Sequence, residues 1–292
     1  MKDIVSVLTI AGSDSIGGAG IQADLKTMLS LKVNATSAIT AITAQNTMGI
    51  RGIEPIEPKM LALQIDSVLE DIDIKTIKTG MLYSNDHIKV IVKSLKSHNY
   101  QGALVVDPVM VATSGDSLYN SLDLMFKELF PISTIVTPNI PEAEKISSMN
   151  IHNKEEMILA AKKIINFYNP KYVLIKAGHL NNNMTDILVC KKDNKNNEQQ
   201  SDIEDVDFFI KKVSYGEKIE TKNTHGTGCT LSSAIASFIA LGYGVVKSVN
   251  LAKEYISLAI EGAKDLNFGK GHGSTNHFYA GKEMLKRISN NF

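Results

Sequence analysis

An α/β protein with a mostly parallel central sheet flanked by helices is the fold class the sequence predicts. Three observations lead there. Short β-prone apolar runs alternate with amphipathic helical patterns along most of the chain. Several of the runs end in Gly, Asp-Pro or Pro-Asn, and ligands in such sheets sit beyond the carboxyl ends of the strands. No internal repeat or linker breaks the pattern, so residues 1–292 read as one domain.

The elements follow in order. DIVSVLTIAG (3–12) is β-branched and apolar and ends in glycine, so it reads as the first strand. A helical pattern over 18–31 follows a glycine loop, and the β-prone stretch 33–53 (VNATSAITAITAQNTMGIRGI) reads as an extra strand pair. Helical spacing over 58–70 precedes the strand IKTIKTG (74–80), and helical spacing over 85–97 precedes GALVVDPV (102–109). A helix over 118–129 leads to the strand STIVTPN (133–139), and helices over 141–147 and 153–167 lead to KYVLIKAG (171–178). The stretch 191–206 (KKDNKNNEQQSDIEDV) is polar and aperiodic. It reads as a surface loop insert, because the strand-like DFFIKKVS follows it. Helices over 227–241 and 245–266 close the series.

Composition narrows the function. The chain has 292 residues, 43% of them hydrophobic, which allows a sizeable core. Lys+Arg and Asp+Glu both number 31, so overall charge argues for neither nucleic acid nor an acidic membrane face. Arg51 and Arg287 are the two arginines, so a bound phosphate must rely on lysine and backbone N–H groups. Cys190 and Cys229 are too few for a disulfide framework, and no Cys/His spacing suggests zinc. Asp3 interrupts the basic start, and the first apolar run flows into a glycine loop, which argues against a signal peptide. No stretch reaches the roughly 18 apolar residues of a membrane span. A soluble cytoplasmic protein is expected.

Chemistry concentrates in a few loops. In THGTGCTLSS (224–233), Gly226 and Gly228 let the backbone turn its N–H groups inward before a helix begins near Thr227–Cys229. A helix N-terminus suits a phosphate or a developing anion. Cys229 there is either a small packing residue or, with a lowered pKa, a base or nucleophile. The loop AGSDSIGGAGIQADLKT (11–27) follows a strand and opens a helix, but its glycine spacing is neither a dinucleotide fingerprint nor a Walker loop. Asp24 alone reads as a helix-start carboxylate. Asn139, Pro141 and Glu142 alone make a good helix start. Asp107 sits at a strand end, a frequent structural position, and Lys176 at another, where a lysine can reach a phosphate but more often reaches water.

Together these stretches resemble the hydroxymethylpyrimidine/phosphomethylpyrimidine kinase family of thiamine biosynthesis, a branch of the ribokinase-like superfamily. LTIAGSDSIGGAGIQADLKT, ITAITAQNTMGI, KTGML, VVDPVM, TPNIPEAE, IKAGHL, NTHGTGCTLSSAIA and FGKGHGSTNHF occur in that order over nearly the whole chain. The resemblance implies a three-layer α/β fold with a small β flap, a homodimer, ATP and Mg²⁺. It makes Cys229 the base that activates the substrate hydroxyl, where most of the superfamily has aspartate. It makes the N–H groups of Gly226, Thr227 and Gly228 an anion hole for the transferring phosphoryl group. Phosphoryl transfer asks for positioning and charge stabilisation more than for a strong base.

By the same resemblance, Gln45 meets the pyrimidine edge, Gly12 and Asp24 contact substrate, and Met81 and Val109 are apolar walls. Asp107, Asn139 and Glu142 organise Mg²⁺ through its waters, and Lys176 holds nucleotide phosphate, with Asn139 on the nucleotide side. Three departures stand out: Ala177 replaces glycine, Ser274-Thr275 replaces Pro-Val, and the 191–206 insert is long and expected near the nucleotide. A pyridoxal kinase of the same branch is the nearest alternative, and Gln45 favours the pyrimidine. A ligand-binding module without catalysis is opposed by the intact Gly-Thr-Gly-Cys turn. A cysteine hydrolase pairing Cys229 with His225 would need an orienting group and an acyl site that nothing here suggests.

Overall fold

The computed structural model of the protein describes residues 4–110, 123–178, 185–192, 201–214, 216 and 218–289. Its strands are β1 (Ser6–Asp14), β2 (Asn34–Asn46), β3 (Gly49–Pro55), β4 (Ile74–Thr79), β5 (Ala103–Val106), β6 (Ile135–Val136), β7 (Tyr172–Ile175), β8 (Asp186–Lys191) and β9 (Phe208–Val213). They form one sheet in the order β3-β2-β1-β4-β5-β6-β7-β8-β9. From β2 to β7 every neighbouring pair is parallel. Antiparallel β3 closes one edge, and the hairpin-like pair β8 and β9 closes the other.

The helices are α1 (Gly20–Ser30), α2 (Pro58–Asp71), α3 (Asn85–Ser97), α4 (Ile140–Ser147), α5 (Lys154–Tyr168), α6 (Thr227–Ala240), α7 (Val245–Glu261) and α8 (His277–Ser289). Strand alternation sorts them into two layers. Leu8, Ile10, Leu104 and Val106 point to one face, packed against Leu61, Ile88, Ile146 and Ile164 of α2, α3, α4 and α5. Val7 and Val105 point to the other, against Met28, Leu231, Tyr255 and Met284 of α1, α6, α7 and α8. Because both faces are covered, the central strands are continuously buried and apolar. Three layers result, as expected.

Four differences from the sequence reading have physical reasons. β8 has no separate place in that reading, yet its buried DILVC run pairs with β7 on one side and β9 on the other. The stretch 33–53 is more than a flap, because β2 pairs in parallel with β1 along most of its length. The last expected helix ends early, with α7 stopping at Glu261, and a further helix absent from that reading, α8, packs back on it. Gly262 makes that packing possible, since a Cβ there would lie 2.5 Å from the Tyr279 ring. In place of a regular helix to 129, residues 125–129 form a wide π turn and 130–132 a 3₁₀ turn. The start of that predicted helix (118–122) lies outside the described residues, as do 193–200 of the polar insert and His179 and Leu180 of IKAGHL. The rest of the insert is held down by Ser201 on Ile210 and by Asp202 on Lys211 at 2.7 Å. Among the described residues no helix is long and apolar enough to cross a membrane.

One buried ion pair ties the far edge of the sheet to the helical layer. Asp186, opening β8, accepts from the Ala177 amide at 2.8 Å and from Lys253 Nζ of α7 at 2.6 Å. Lys253→Met is expected to cost about 3–5 kcal/mol in urea unfolding, because it leaves a buried carboxylate unpaired. The double variant Asp186→Asn/Lys253→Met is expected to recover most of that loss. Equal costs in the single and double variants would show that the pairing contributes nothing.

Candidate active site

Two glycine loops meet at the carboxyl ends of β1 and β4. Gly226 has φ +79°, and a Cβ on it would come within 1.8 Å of the Gly18 carbonyl oxygen. Only glycine fits there, so the turn before α6 rests directly on the loop before α1. Asp14, closing β1, organises both. Its carboxylate accepts the N–H groups of Ile16, Gly18 and Ala19 at 3.1, 3.0 and 2.8 Å. It also accepts from His225 Nε2 at 2.9 Å. Burial works against its charged form, but His225 and the amides outweigh burial and hold the carboxyl below its usual range.

The flap joins the same network. The Gln45 side-chain amide lies 3.3 Å from His225 Nε2, and Ser15 bonds the Gln45 backbone at both its N–H and its carbonyl. Thr47, at the tip between β2 and β3, accepts from the amides of Gly271 and His272 at 3.1 and 2.9 Å. The Gly273 carbonyl accepts the His225 N–H at 3.0 Å. Flap, late loop and glycine turn are therefore one hydrogen-bonded unit with His225 at its centre. Sequence reasoning weighed His225 only as a hydrolase partner and did not place it here. Ser274, one of the two departures in the late motif, packs its Cβ against the position a side chain at Gly18 would take.

At the start of α6 the helical ladder begins with Thr230 N–H on the Gly226 carbonyl at 2.9 Å. The amides of Gly228 and Cys229 lie ahead of it, free of helical partners. Thr227 is different: its N–H goes to the Thr224 carbonyl at 3.3 Å, so it is not available as the anion-hole donor expected of it. The expected lowering of the Cys229 pKa is also corrected. The residue keeps some exposed surface, but the thiol is enclosed, and burial pushes it up to about 11. Asp24 and Asp107 add to that rise, while the Lys78 ammonium and the Gly20 amide oppose it.

Asp24 lies behind the site and is not exposed to a ligand. It is 0% exposed, and its oxygens are taken by Lys78 Nζ at 2.9 and 2.8 Å, Thr9 Oγ1 at 2.6 Å and Ser233 Oγ at 2.6 Å. Its helical position, one turn inside α1, turns it inward onto β4. Lys78 was not picked out from the sequence. Its position in KTGML carried no local signal, because the partner is 54 residues away. Burial disfavours its charge, yet Asp24, then Cys229 and Asp107, keep its pKa above the ordinary lysine value.

A second charged group lies across the start of α6. Asp107 follows β5 and accepts from Lys176 Nζ at 2.9 Å, Thr137 at 3.1 Å and Ser232 at 3.3 Å. Its carboxyl is lowered despite burial, by Lys176 and then Lys78. Lys176 is raised above its usual value, because Asp107 and Glu142 outweigh its burial. A Cβ on Gly228 would lie 3.5 Å from Lys176 Nζ and 3.8 Å from Asp107 Oδ2, so this pair borders the helix terminus. Asn139 and Glu142 form a reciprocal capping box at the start of α4, with bonds of 2.8 and 2.9 Å. The helix-start reading of these two residues is therefore correct as far as it goes. Burial, with Asp107 nearby, also pushes the Glu142 carboxyl up to about 7 against the pull of Lys176.

Between these charged groups and the flap lies an apolar surface. Met81 and Ala41 pack with Ile50, Ile53, Tyr83 and Val109. Gly12 makes room for Met81, whose Cε would be 2.3 Å from a Cβ there. Met81, Val109 and Gly12 are thus brought together as the sequence suggested. The arrangement brings together an apolar surface under the β2–β3 pair, the N-terminus of α6 and two lysines, Lys78 and Lys176, a set suited to a flat ring and an anion.

Comparison with known proteins finds relatives along nearly the whole chain. A sequence model of the phosphomethylpyrimidine kinase family matches residues 14–276. A hydroxymethylpyrimidine/phosphomethylpyrimidine kinase of Rhizobium meliloti is 40% identical over 93% of this chain and 96% of its own length. A thiamine biosynthesis bifunctional protein of Geobacter sulfurreducens is 42% identical over 97% of this chain, but the match spans only 54% of that longer protein. A crystal structure of a phosphomethylpyrimidine kinase from Clostridium difficile superposes with TM-score 0.72 at 43% identity, covering 88% of this chain and 99% of the other. The ADP complex of a Bacillus subtilis pyridoxal kinase superposes with TM-score 0.80 at 32% identity, covering 95% and 98%.

The Glu142 carboxyl can be tested without any ligand. Its ordinary value is 4.5 and its folded value about 7, so between them the unfolded chain releases its proton first and stability falls as pH rises. Glu142→Gln, which can still accept the Asn139 amide, removes that loss. Relative to the original protein it is expected to gain about 2–3 kcal/mol across this interval in urea unfolding. A difference between the two proteins that does not vary with pH would place the carboxyl in the ordinary range.

Proposed function

The chain belongs to the phosphomethylpyrimidine kinase family, and on that premise we propose that it phosphorylates 4-amino-5-hydroxymethyl-2-methylpyrimidine with ATP and then converts the monophosphate to the diphosphate, for thiamine biosynthesis. One observation carries the reading. Cys229 stands in the first turn of α6, within the electrostatic reach of both Lys78 and Lys176.

In this reading the Gln45 amide pairs with the aminopyrimidine edge, donor to acceptor and acceptor to donor. Gly12, Met81 and Val109 hold the ring, and Asp24 supports from behind. The amides of Gly226 and Gly228, joined by that of Cys229, receive the transferring group, and Lys176 and Asn139 face the nucleotide. The first step moves the hydroxyl proton to the Cys229 thiolate. The freed oxygen bonds to the γ-phosphorus, and the bond to the β,γ-bridging oxygen breaks with its electrons on ADP. At its resting pKa of about 11 the sulfur carries a proton at neutral pH, so the active fraction grows with pH.

Mg²⁺ fits these residues only in hydrated form. Asp107 Oδ1 is already held by Lys176 and Thr137, and Glu142 by the capping box. Among the described residues no group of three or more His, Cys, Asp or Glu is arranged to hold an ion directly. Asp107 and Glu142 would therefore hold its waters, and the strained charge of Glu142 favours a cation there. The ion supplies charge neutralisation of the nucleotide phosphates. A homodimer is part of the same proposal. Pyridoxal is the competing acceptor, favoured by the overlap with the pyridoxal kinase structure.

The experiment is ADP release from ATP·Mg with the pyrimidine, with its monophosphate and with pyridoxal. Turnover on both pyrimidines is expected. Release with pyridoxal alone would replace the proposal with its rival. For the role of Cys229 the two steps differ. A phosphate monoester is already largely ionised at neutral pH and needs no base. Cys229→Ala is therefore expected to slow the first step by roughly 10²–10⁴ and the second far less. The first step of the original enzyme is expected to accelerate with pH through the alkaline range, and Cys229→Asp to flatten that profile. Full first-step turnover in a folded Cys229→Ala protein would end the base assignment.

A further inference from the structure

The buried pair of Asp24 and Lys78 has no part in holding a ligand, yet it is the most completely enclosed charge pair at the site. Both side chains are 0% exposed. Asp24 is held by three donors from three elements: Thr9 of β1, Lys78 of β4 and Ser233 of α6. A pair buried this deeply is weak evidence for stability, since two apolar residues of similar size often do as well. Its location suggests another use. Ser233 is one helical turn beyond Cys229, so the pair sits under the same face of α6 that carries the thiol. The Gly20 amide, the first of α1, donates to the Cys229 sulfur from the other side. Gly80 leaves space above Lys78, whose Nζ would be 3.0 Å from a Cβ at that position.

We propose that Lys78 is a positioning residue for Cys229: clamped by Asp24 beneath the first turn of α6, its ammonium is the fixed counter-charge for negative charge forming on the sulfur. The inference rests on Cys229 as the base. The charged groups facing the thiol are Lys78 from β4, Asp24 from α1, Asp107 after β5 and Lys176 after β7. Among them Lys78 acts most strongly to ionise the sulfur, more than Asp24 acts against it. Water does not screen it, and the clamp prevents it from swinging toward a phosphate as Lys176 can. A lysine used for nucleotide would need to be reachable. Lys78 is not.

The test is the pH dependence of Cys229 alkylation by iodoacetamide in the nucleotide-free protein, read on the peptide that carries it. Cys190 is then no interference. In Lys78→Met the midpoint is expected to rise by about one unit, so that alkylation at mildly alkaline pH slows about tenfold. Lys78→Arg keeps the charge and is expected to keep the profile near the original. If Lys78→Met does not fold, the neutral pair Asp24→Asn/Lys78→Met replaces it. A smaller rise is expected there, because the stronger of two opposed influences is lost. First-step kcat is expected to fall with the thiol shift while the KM for ATP holds. An unchanged alkylation profile in either folded variant would overturn the proposal and leave Lys78 structural. Should Cys229→Ala keep full turnover while the profile still shifts, the counter-charge stands and the base reading falls.

Discussion

The contact between Gly226 and the Gly18 carbonyl is the constraint on which the site depends. No side chain fits in that gap, and φ +79° at Gly226 is a conformation other residues rarely adopt. Because the two loops touch through backbone, the N-termini of α1 and α6 converge on Cys229. One supplies the Gly20 amide and the other the free amides of the first turn. The same contact brings His225 against Asp14, and through His225 the Gln45 flap is tied to the sheet. The Gln45 side chain and the N-terminus of α6 are thus fixed relative to each other by one close approach.

Charge burial is the second feature, and the two lysines divide it unequally. Lys176 keeps 15% of its side chain exposed and borders Gly228 with Asp107. It can exchange part of that pairing for phosphate oxygens. Lys78 keeps none, and its carboxylate partner is saturated by other donors. The first is suited to a ligand that comes and goes, and the second to a permanent field. Glu142 shows a similar double use: its capping-box bond is worth some tenths of a kcal/mol to α4 up to about one, whereas its raised pKa comes from sharing a buried space with Asp107.

Much of this was legible in the sequence because it is local. The alternation of strands and helices fixed the layers, and glycine, Asn-x-x-Glu and strand-end residues marked loops at one edge of the sheet. What was illegible depends on partners far apart in the chain. Lys78 pairs with Asp24 across 54 residues, and His225 meets Asp14 across 211. Neither spacing leaves a periodic trace. The Cys229 pKa was read with the wrong sign for the same reason. A helix terminus lowers a thiol pKa, and that is visible locally, but burial raises it by more, joined by Asp24 of α1 and Asp107 after β5, which are far away in the chain. β8 was missed because its apolar run is short and the NNNMT sequence before it carries no helical pattern.

The thiol's raised pKa also bears on why a cysteine suits this position at all. An aspartate at 229 would be a permanent third carboxylate beside Asp24 and Asp107, in a space already holding Lys78 and Lys176. Each added buried charge must be paired or it costs several kcal/mol. A thiol avoids that cost at rest, because at its raised pKa it is neutral in most molecules and only the minority thiolate fraction carries charge. The consequence is a dependence on fixed cations to reach the charged form, and the structure provides one that cannot leave. The resting neutrality of Cys229 and the immobility of Lys78 are therefore two sides of one electrostatic arrangement.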